Sequence, residues 1–415
     1  MFATQAPTVW IISALAIGAI LTRPWRIPEW VWACLGAAAI IASGAVRPDD
    51  AARAVGRGLP VYAFLIGITL LAEIARYERL FAWLARWALH AGRGSQPRLL
   101  GIVFGVGIVV TVFLSNDTTA IVLTPAVFAA LARTDADPMP YLYACAFVAN
   151  AASFVLPISN PANLVVFGRG LPPAGPWIAA FGIAAAAAIV LTFASLRVAL
   201  ASDLARNYRD VGADIDLTRG AKFAAVGITG AIAILLTAAG FGFNVGYAAL
   251  TGAVFAIVVT TLPNRQAPAA VGRHVAWQVV PLVAGLFVIV EGLDRSGALD
   301  AARHLLLWAG SQGFVTGRFV LGAAIGAACN IFNNLPVALA AGYAIQSSPV
   351  SPPLARVAVV AVDLSPNLSV MGSLATLLWL IALRREGLEV TPLQFVRLGV
   401  LAVVPALAAA VLLVR

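Results

Sequence analysis

From Trp177 to Leu200 the only charged side chain is Arg197, and from Phe395 to Val414 the only one is Arg397. Stretches that long and that apolar, without the alternation of a half-buried strand, fit helices that cross a lipid bilayer. Similar runs occupy Val9–Leu21, Trp30–Val46, Leu59–Ile74, Leu99–Leu114 and Tyr141–Leu156, then Phe223–Phe241, Val245–Leu262, Trp277–Val290, Phe319–Phe332 and Leu354–Val362. Charged residues are 11% of the chain, against about 25% in a soluble domain. So little charge excludes an ordinary soluble fold, and 61% apolar residues exclude disorder. The expected fold class is an all-α polytopic membrane protein in contact with the lipid bilayer.

The net charge of +9 does not make this a nucleic-acid binder. Its basic residues, all Arg except Lys222, are scattered through short loops and form no stripe or recognition module. They fit the positive-inside rule instead. The one long polar segment, 201–221, carries Asp203, Arg206, Arg209, Asp210, Asp214, Asp216 and Arg219. Flanked by Arg197 and Lys222, it is expected in the cytoplasm. It divides the chain into a first transmembrane repeat at 1–200 and a second at 222–415. Cys34, Cys145 and Cys329 are far apart in apolar segments and read as small buried hydrophobes. The start of the chain lacks a basic n-region and a cleavage site, so Val9–Leu21 reads as a first span.

The two halves share landmarks in the same order. Ala54-Val55-Gly56-Arg57 recurs as Ala270-Val271-Gly272-Arg273, and Glu73 is matched by Glu291. Asn116-Asp117 pairs with Asn333-Asn334 at an offset of 217, and Ser159 to Asn163 pairs with Gly372 to Thr376 at an offset of 213. Internal repeats are typical of secondary transporters, which bind substrate near the midplane where the repeats meet. Thr118–Leu131, Asn163–Phe167, Leu335–Ile345 and Leu374–Leu383 are too short to span, and Asn, Pro and Gly interrupt them. They are expected to be re-entrant hairpins or broken helices.

The chemistry is expected at the polar groups held inside these segments, because such groups are costly in a bilayer. Asp117 and Asp363 are the clearest cases, with no Lys, Arg or His beside them in sequence. A carboxyl in that setting can take up and release a proton as its surroundings change between wet and dry. Each Asp could equally cap a broken helix, and the two roles are compatible. Around them cluster Asn116, Thr118, Asn150, Ser159, Asn160, Asn163, Asn333, Asn334, Gly372, Ser373 and Thr376 as candidate substrate-binding residues. Amides, hydroxyls and helix ends can hold a small polar solute or ion without fixed charge. Interhelical hydrogen bonding is the plain alternative for any one of them. Glu73 and Glu291, beside Arg76 and Arg295, read as interfacial ion pairs or hinge contacts. Metal, nucleotide and hydrolase motifs are absent, so neither a metal nor a cofactor is expected, nor an enzyme.

The segments "FLSNDTTAIVLTPAV", "NNLPVAL" and "DLSPNLSVMGSLATLLWL" resemble the ArsB-type arsenite/antimonite efflux transporters of the ion transporter superfamily. The likeness extends over essentially the whole chain. It implies two inverted repeats with re-entrant hairpins, arranged as scaffold plus transport units. It implies export of trivalent arsenite and antimonite across a bacterial inner membrane in exchange for protons. It also brings a soluble arsenite-stimulated ATPase into view as a partner for the cytoplasmic loops. The family pattern carries an Asp where Asn150 stands and a Lys where Asn367 stands, and both charges are missing here. A sodium-linked antiporter or carboxylate symporter of the same superfamily is the alternative. Against a carboxylate substrate, the motif segments contain no Arg or Lys.

Overall fold

A computed structural model describes residues 6–209, 216–263 and 267–415. Asp210 and Asp214 of the central linker lie outside the described residues. The first half contains α1 (Ala6–Thr22), α2 (Glu29–Ala42), α3 (Pro48–Arg57), α4 (Leu59–Tyr77), α5 (Leu80–Gly92), α6 (Gln96–Leu114), α7 (Asn116–Thr118), α8 (Thr124–Leu131), α9 (Met139–Ala151), α10 (Pro161–Phe167) and α11 (Ala174–Ala199). A π-helical turn over Thr119–Leu123 joins α7 to α8. The second half contains α12 (Arg219–Phe241), α13 (Val245–Thr261), α14 (Ala267–His274), α15 (Val279–Arg295), α16 (Asp300–Ser311), α17 (Phe314–Phe332), α18 (Asn334–Gln346), α19 (Pro352–Leu364), α20 (Leu374–Arg385) and α21 (Pro392–Leu413).

Among the described residues there is no strand, only an isolated bridge between Ser95 and Asn207. Among the described residues seven helical segments are long and apolar enough to cross a membrane, among them α4, α6, α11, α12, α17 and α21. The protein is an all-α, multi-pass membrane protein. Four helices escape a search for long apolar runs: α3, α5, α14 and α16. Each is short and amphipathic, with charges such as Arg53, Arg86, Arg273 and Arg303 interrupting the apolar run of its sequence.

Element lengths recur between the halves. α6 and α17 are both 19 residues long and begin 218 residues apart, at Gln96 and Phe314. α9 and α19 are both 13 residues long and begin 213 residues apart, at Met139 and Pro352. Each of α6 and α17 ends at one non-glycine residue with positive φ, Ser115 (81°) and Asn333 (72°) respectively. The structural register is therefore Ser115 with Asn333 and Asn116 with Asn334. This is one residue away from the pairing expected from the sequence, because the helix break, and not the identity of the adjacent Asn, marks equivalent positions. The offset of 218 is also that of Glu73 and Glu291.

Packing is reciprocal. α4 of the first half lies on α13 of the second, and α15 of the second lies on α2 of the first. Glycines allow both crossings: a Cβ on Gly67 would stand 2.4 Å from the Ala249 carbonyl carbon, and one on Gly285 would stand 2.7 Å from that of Ala33. The short helices cross over in the same way. α10 packs against α18, while α20 packs against α7 and the π turn. α11 and α21 lie against each other behind them. The central linker is anchored to the end of α5 and the turn into α6, where Tyr208 N–H donates to the Gly94 carbonyl (2.9 Å) and its hydroxyl to the Leu89 carbonyl (2.5 Å).

Candidate functional site

Two helical hairpins and two broken helices meet in the interior. The α6–α7 junction reverses the chain, so that Thr111 Oγ1 and Thr119 Oγ1, eight residues apart in sequence, lie 2.8 Å from each other. A continuous helix would separate them by about 12 Å along its axis. The tip of this hairpin is tied to the first broken helix by Asn116 N–H, which donates to the Ser159 carbonyl (3.2 Å). In the second half Asn334 N–H donates to the Gly372 carbonyl (2.9 Å). Asn333 secures that tip further, its Nδ2 donating to the Met371 carbonyl (3.1 Å).

Asn160 connects the halves. It is the N-cap of α10, its Oδ1 accepting from Ala162 N–H at 3.0 Å, with Pro161 opening the helix. That bond orients the amide, so Nδ2 faces the second half and donates to Asp363 Oδ1 at 2.8 Å. Asp363 is fully buried at the end of α19, with Ser153 and Asn163 beside the same carboxyl. Asn163 Nδ2 donates to the Ser153 carbonyl (3.1 Å), which holds the loop between α9 and α10 in shape.

Asn150, at the end of α9, makes the crossed arrangement. Its Nδ2 donates to Asn367 Oδ1 (2.8 Å) and reaches Thr376 Oγ1 (3.4 Å). Thr376 Oγ1 lies 2.8 Å from Ser373 Oγ, and Ser373 is the N-cap of α20. Ser153 Oγ donates to the Asn150 carbonyl (2.8 Å), which joins the two arrangements. One string of residues thus runs from Asn116 and Ser159 through Asn160, Asp363 and Asn150 to Thr376, Ser373, Gly372 and Asn334, linked in turn by hydrogen bonds and by the chain, with Ser153 standing between Asp363 and Asn150.

The candidate residues therefore converge. Asn116, Thr118, Asn150, Ser159, Asn160, Asn163, Asn333, Asn334, Ser373, Thr376 and Asp363 are all buried. Asp117 is only partly buried, beside the hairpin tip on α7. Thr118 is occupied by the Leu114 carbonyl (2.5 Å). Asn367 and Ser153 belong to the string with equal claim. Both were visible as polar residues beside Pro366 and Pro157, but only the tertiary contacts single them out. Two tryptophans support the loops from behind: Trp177 Nε1 donates to the Phe154 carbonyl (3.0 Å) and Trp379 Nε1 to the Leu142 carbonyl (2.9 Å).

The N-caps of α10 and α20, Asn160 and Ser373, both belong to the string, and among the described residues no Arg, Lys or His makes a hydrogen bond within it. Four buried side-chain oxygens there have no donor: Asn116 Oδ1, Asn150 Oδ1, Asn163 Oδ1 and Asp363 Oδ2. Buried acceptors normally find donors, so this set marks a place suited to a donor-bearing solute or a cation. Among the described residues no group of His, Cys, Asp or Glu has a metal-binding arrangement. The ion pairs lie elsewhere. Glu73 pairs with Arg76 (2.6 Å), and Glu291 pairs with Arg57 and with Arg295 (2.7 Å). Arg57 also donates to the Tyr343 hydroxyl (2.6 Å), so this second cluster ties α3 and α15 to α18.

The chain is similar to several known proteins. The arsenical pump membrane protein of Escherichia coli K12 is 27% identical over 412 residues, covering 95% of each chain. That of Yersinia enterocolitica is 26% identical over 365 residues, 83% of each chain. An uncharacterized transporter of Mycobacterium tuberculosis H37Rv is 25% identical over 95% of this chain and 96% of its own. The crystal structure of the Alcanivorax borkumensis YdaH transporter, described as having an unusual topology, matches with a TM-score of 0.57 at 14% identity. It covers 93% of this chain and 96% of its own, a likeness of fold. The family model described as citrate transporter matches residues 9–362. The chain belongs to this citrate transporter family of ion transporters and is a secondary transporter of the membrane.

Proposed function

We propose that the protein exports arsenite and antimonite across a bacterial inner membrane in exchange for protons. The observation that carries this reading is the set of four donorless acceptors in a string with which, among the described residues, no basic side chain makes a hydrogen bond. Arsenite at neutral pH is mainly an uncharged triol. Its three hydroxyl groups can donate to three of the acceptors on Asn116, Asn150, Asn163 and Asp363 and accept from the hydroxyls of Ser373 and Thr376. The names of the enterobacterial relatives support the same substrate. Citrate, named by the family description, suits the site poorly. Several negative charges would enter a site whose one buried carboxyl already repels them and which offers no guanidinium or ammonium.

Asp363 is the proton-exchanging group, and Asp117 at the hairpin tip is a second one facing the access route. Protonation removes the charge of Asp363 and changes what its carboxyl oxygens offer the solute. Exchange of that proton for the solute is the coupling step. The two halves act as inverted repeats divided by the cytoplasmic linker, residues 201–221. The α5–α11 and α16–α21 groups move as transport units against a scaffold of α1, α2, α4, α12, α13 and α15. Wetting first one side and then the other of the crossing point gives alternating access. A soluble ATPase docking on the cytoplasmic loops would add a second energy source.

The alternative with an observation in its favour is sodium coupling, because donorless oxygens also suit a bare cation. The deciding experiment is expression in a strain without arsenic pumps. Restored growth on arsenite and antimonite, with metalloid extruded against its gradient and no sodium requirement, is the expected result. Unchanged sensitivity would overturn the substrate, and a sodium requirement would overturn proton exchange.

A further inference from the structure

Asn330, two residues before the end of α17, has its whole amide committed. Nδ2 donates to the Gly326 carbonyl of its own helix (2.8 Å) and to the Ser365 carbonyl (2.9 Å), and Oδ1 accepts from Ser369 Oγ (2.7 Å). Ser365 and Ser369 bound the short turn that follows Asp363, and Asn367 stands at its middle. The two ends of that turn are thus held by the arm of the second hairpin, while its middle is presented to the first half. Asn367 donates from Nδ2 to the Phe147 carbonyl (2.8 Å) and accepts at Oδ1 from Asn150 (2.8 Å). Asn150 keeps a donorless Oδ1, one of the four oxygens that meet the solute in the proposed function. Both Nδ2 protons of Asn330 are taken by backbone carbonyls, so its route to that oxygen runs through Asn367.

The first half fastens its own loop at the matching level of its hairpin, by the reverse chemistry. The residue 218 before Asn330 is Val112 on α6, and its backbone carbonyl accepts from Ser159 Oγ (3.1 Å). There the side chain belongs to the loop and the carbonyl to the hairpin arm. In the second half the side chain belongs to the arm and the carbonyl to the turn. The residue 213 after Ser159 is Gly372, where a Cβ would stand 2.8 Å from Asn330 Oδ1 and 2.5 Å from the Pro366 carbonyl oxygen. Gly372 thus leaves the room that the Asn330 amide fills. We infer that Asn330 is a positioning residue of the solute site: by holding the Ser365–Ser369 turn against α17 it sets where Asn367 stands, and so the direction of the Asn150 amide. This deepens the proposed function and rests on its reading of the string as the solute site. An alanine at 330 leaves the Ser365 carbonyl and the Ser369 hydroxyl without this partner, so the turn no longer has one fixed place against the arm.

Four proteins test this in everted vesicles with an imposed acid-inside gradient: wild type, Asn330→Ala, Asn367→Ala and the double variant. Initial rates of arsenite uptake are measured over a range of concentrations, with protein in the membrane and thermal midpoints as the check on folding. Asn330→Ala is expected to raise the half-saturating arsenite concentration about tenfold, with a maximal rate within about threefold of wild type. A purely structural loss would lower the midpoint and the maximal rate and leave half-saturation where it was. Because Asn330 acts through Asn367, the double variant is expected to be no weaker than Asn367→Ala alone. Unchanged half-saturation in a folded Asn330→Ala overturns the assignment, and so do additive effects of the two substitutions. If Asn330→Ala does not accumulate, Ser369→Ala decides. It removes one of the three contacts, and a rise of about threefold in half-saturation supports the role while no rise overturns it. A wild type without arsenite uptake overturns the reading of the site itself, and the positioning role falls with it.

Discussion

At the residue scale, Asn160 shows how one side chain can hold a helix start and a carboxyl in the other half at once. Its Oδ1 caps α10 and its Nδ2 donates to Asp363. Losing the cap costs about 1 kcal/mol, and losing a hydrogen bond to a carboxyl about 1.5–3 kcal/mol. Asn160→Ala is therefore expected to lower the thermal midpoint of the purified protein and to abolish transport. Asn160→Asp keeps the cap but turns an acceptor toward Asp363. Its expected signature is a preserved helix start with lost transport, read from circular dichroism and vesicle uptake together. Equal transport by Asn160→Asp and wild type would mean the Asn160–Asp363 contact has no part in the cycle. The individual polar residues were legible in the sequence because each is costly in an apolar segment. Which of them touch was not legible. Asn150 and Asn367 are 217 residues apart, and only the crossing of two broken helices brings them to 2.8 Å.

At the element scale, the breaks matter as much as the helices. Ser115 and Asn333 hold a positive φ that favours glycine, a strain of about 1–3 kcal/mol each that the surrounding hydrogen bonds must offset. Asn and Pro near short apolar pieces announced the breaks, but their register was off by one in the first hairpin. Residue identity suggested Asn116 opposite Asn333, whereas the backbone turn puts Ser115 there. The amphipathic α5 and α16 were not legible as elements at all. Their charges hide them from any search for long apolar runs, and only packing beside α6 and α17 explains their place. The reciprocal crossings rest on Gly67 and Gly285, where an added Cβ meets backbone and cannot be relieved by a side-chain rotation. Gly67→Val and Gly285→Val are each expected to destabilise by about 1–3 kcal/mol or to prevent accumulation in the membrane. Size-exclusion profiles and thermal midpoints in detergent check this, with Gly105→Val as the control, since a Cβ there meets nothing within 4 Å.

At the scale of the whole molecule, sequence pattern carried the class, a membrane protein of many apolar helices. It could not show that the halves interlock, with α4 on α13 and α15 on α2, because hydropathy contains no pairing information. In the proposed cycle, interlocking would let a movement of one half be felt in the other. The Arg57–Glu291–Tyr343 cluster ties α3 and α15 to α18 at such a boundary. Arg57→Ala is expected to change the rate of transport more than the affinity for solute, which initial rates at several arsenite concentrations would separate. The central claim is that solute and proton exchange at one interior site through Asp363. Proton release from acid-loaded everted vesicles on addition of arsenite, followed with a pH-reporting dye, tests it most directly. The account predicts prompt arsenite-dependent release with the wild-type protein and none with Asp363→Asn. Equal release by the two proteins would contradict it.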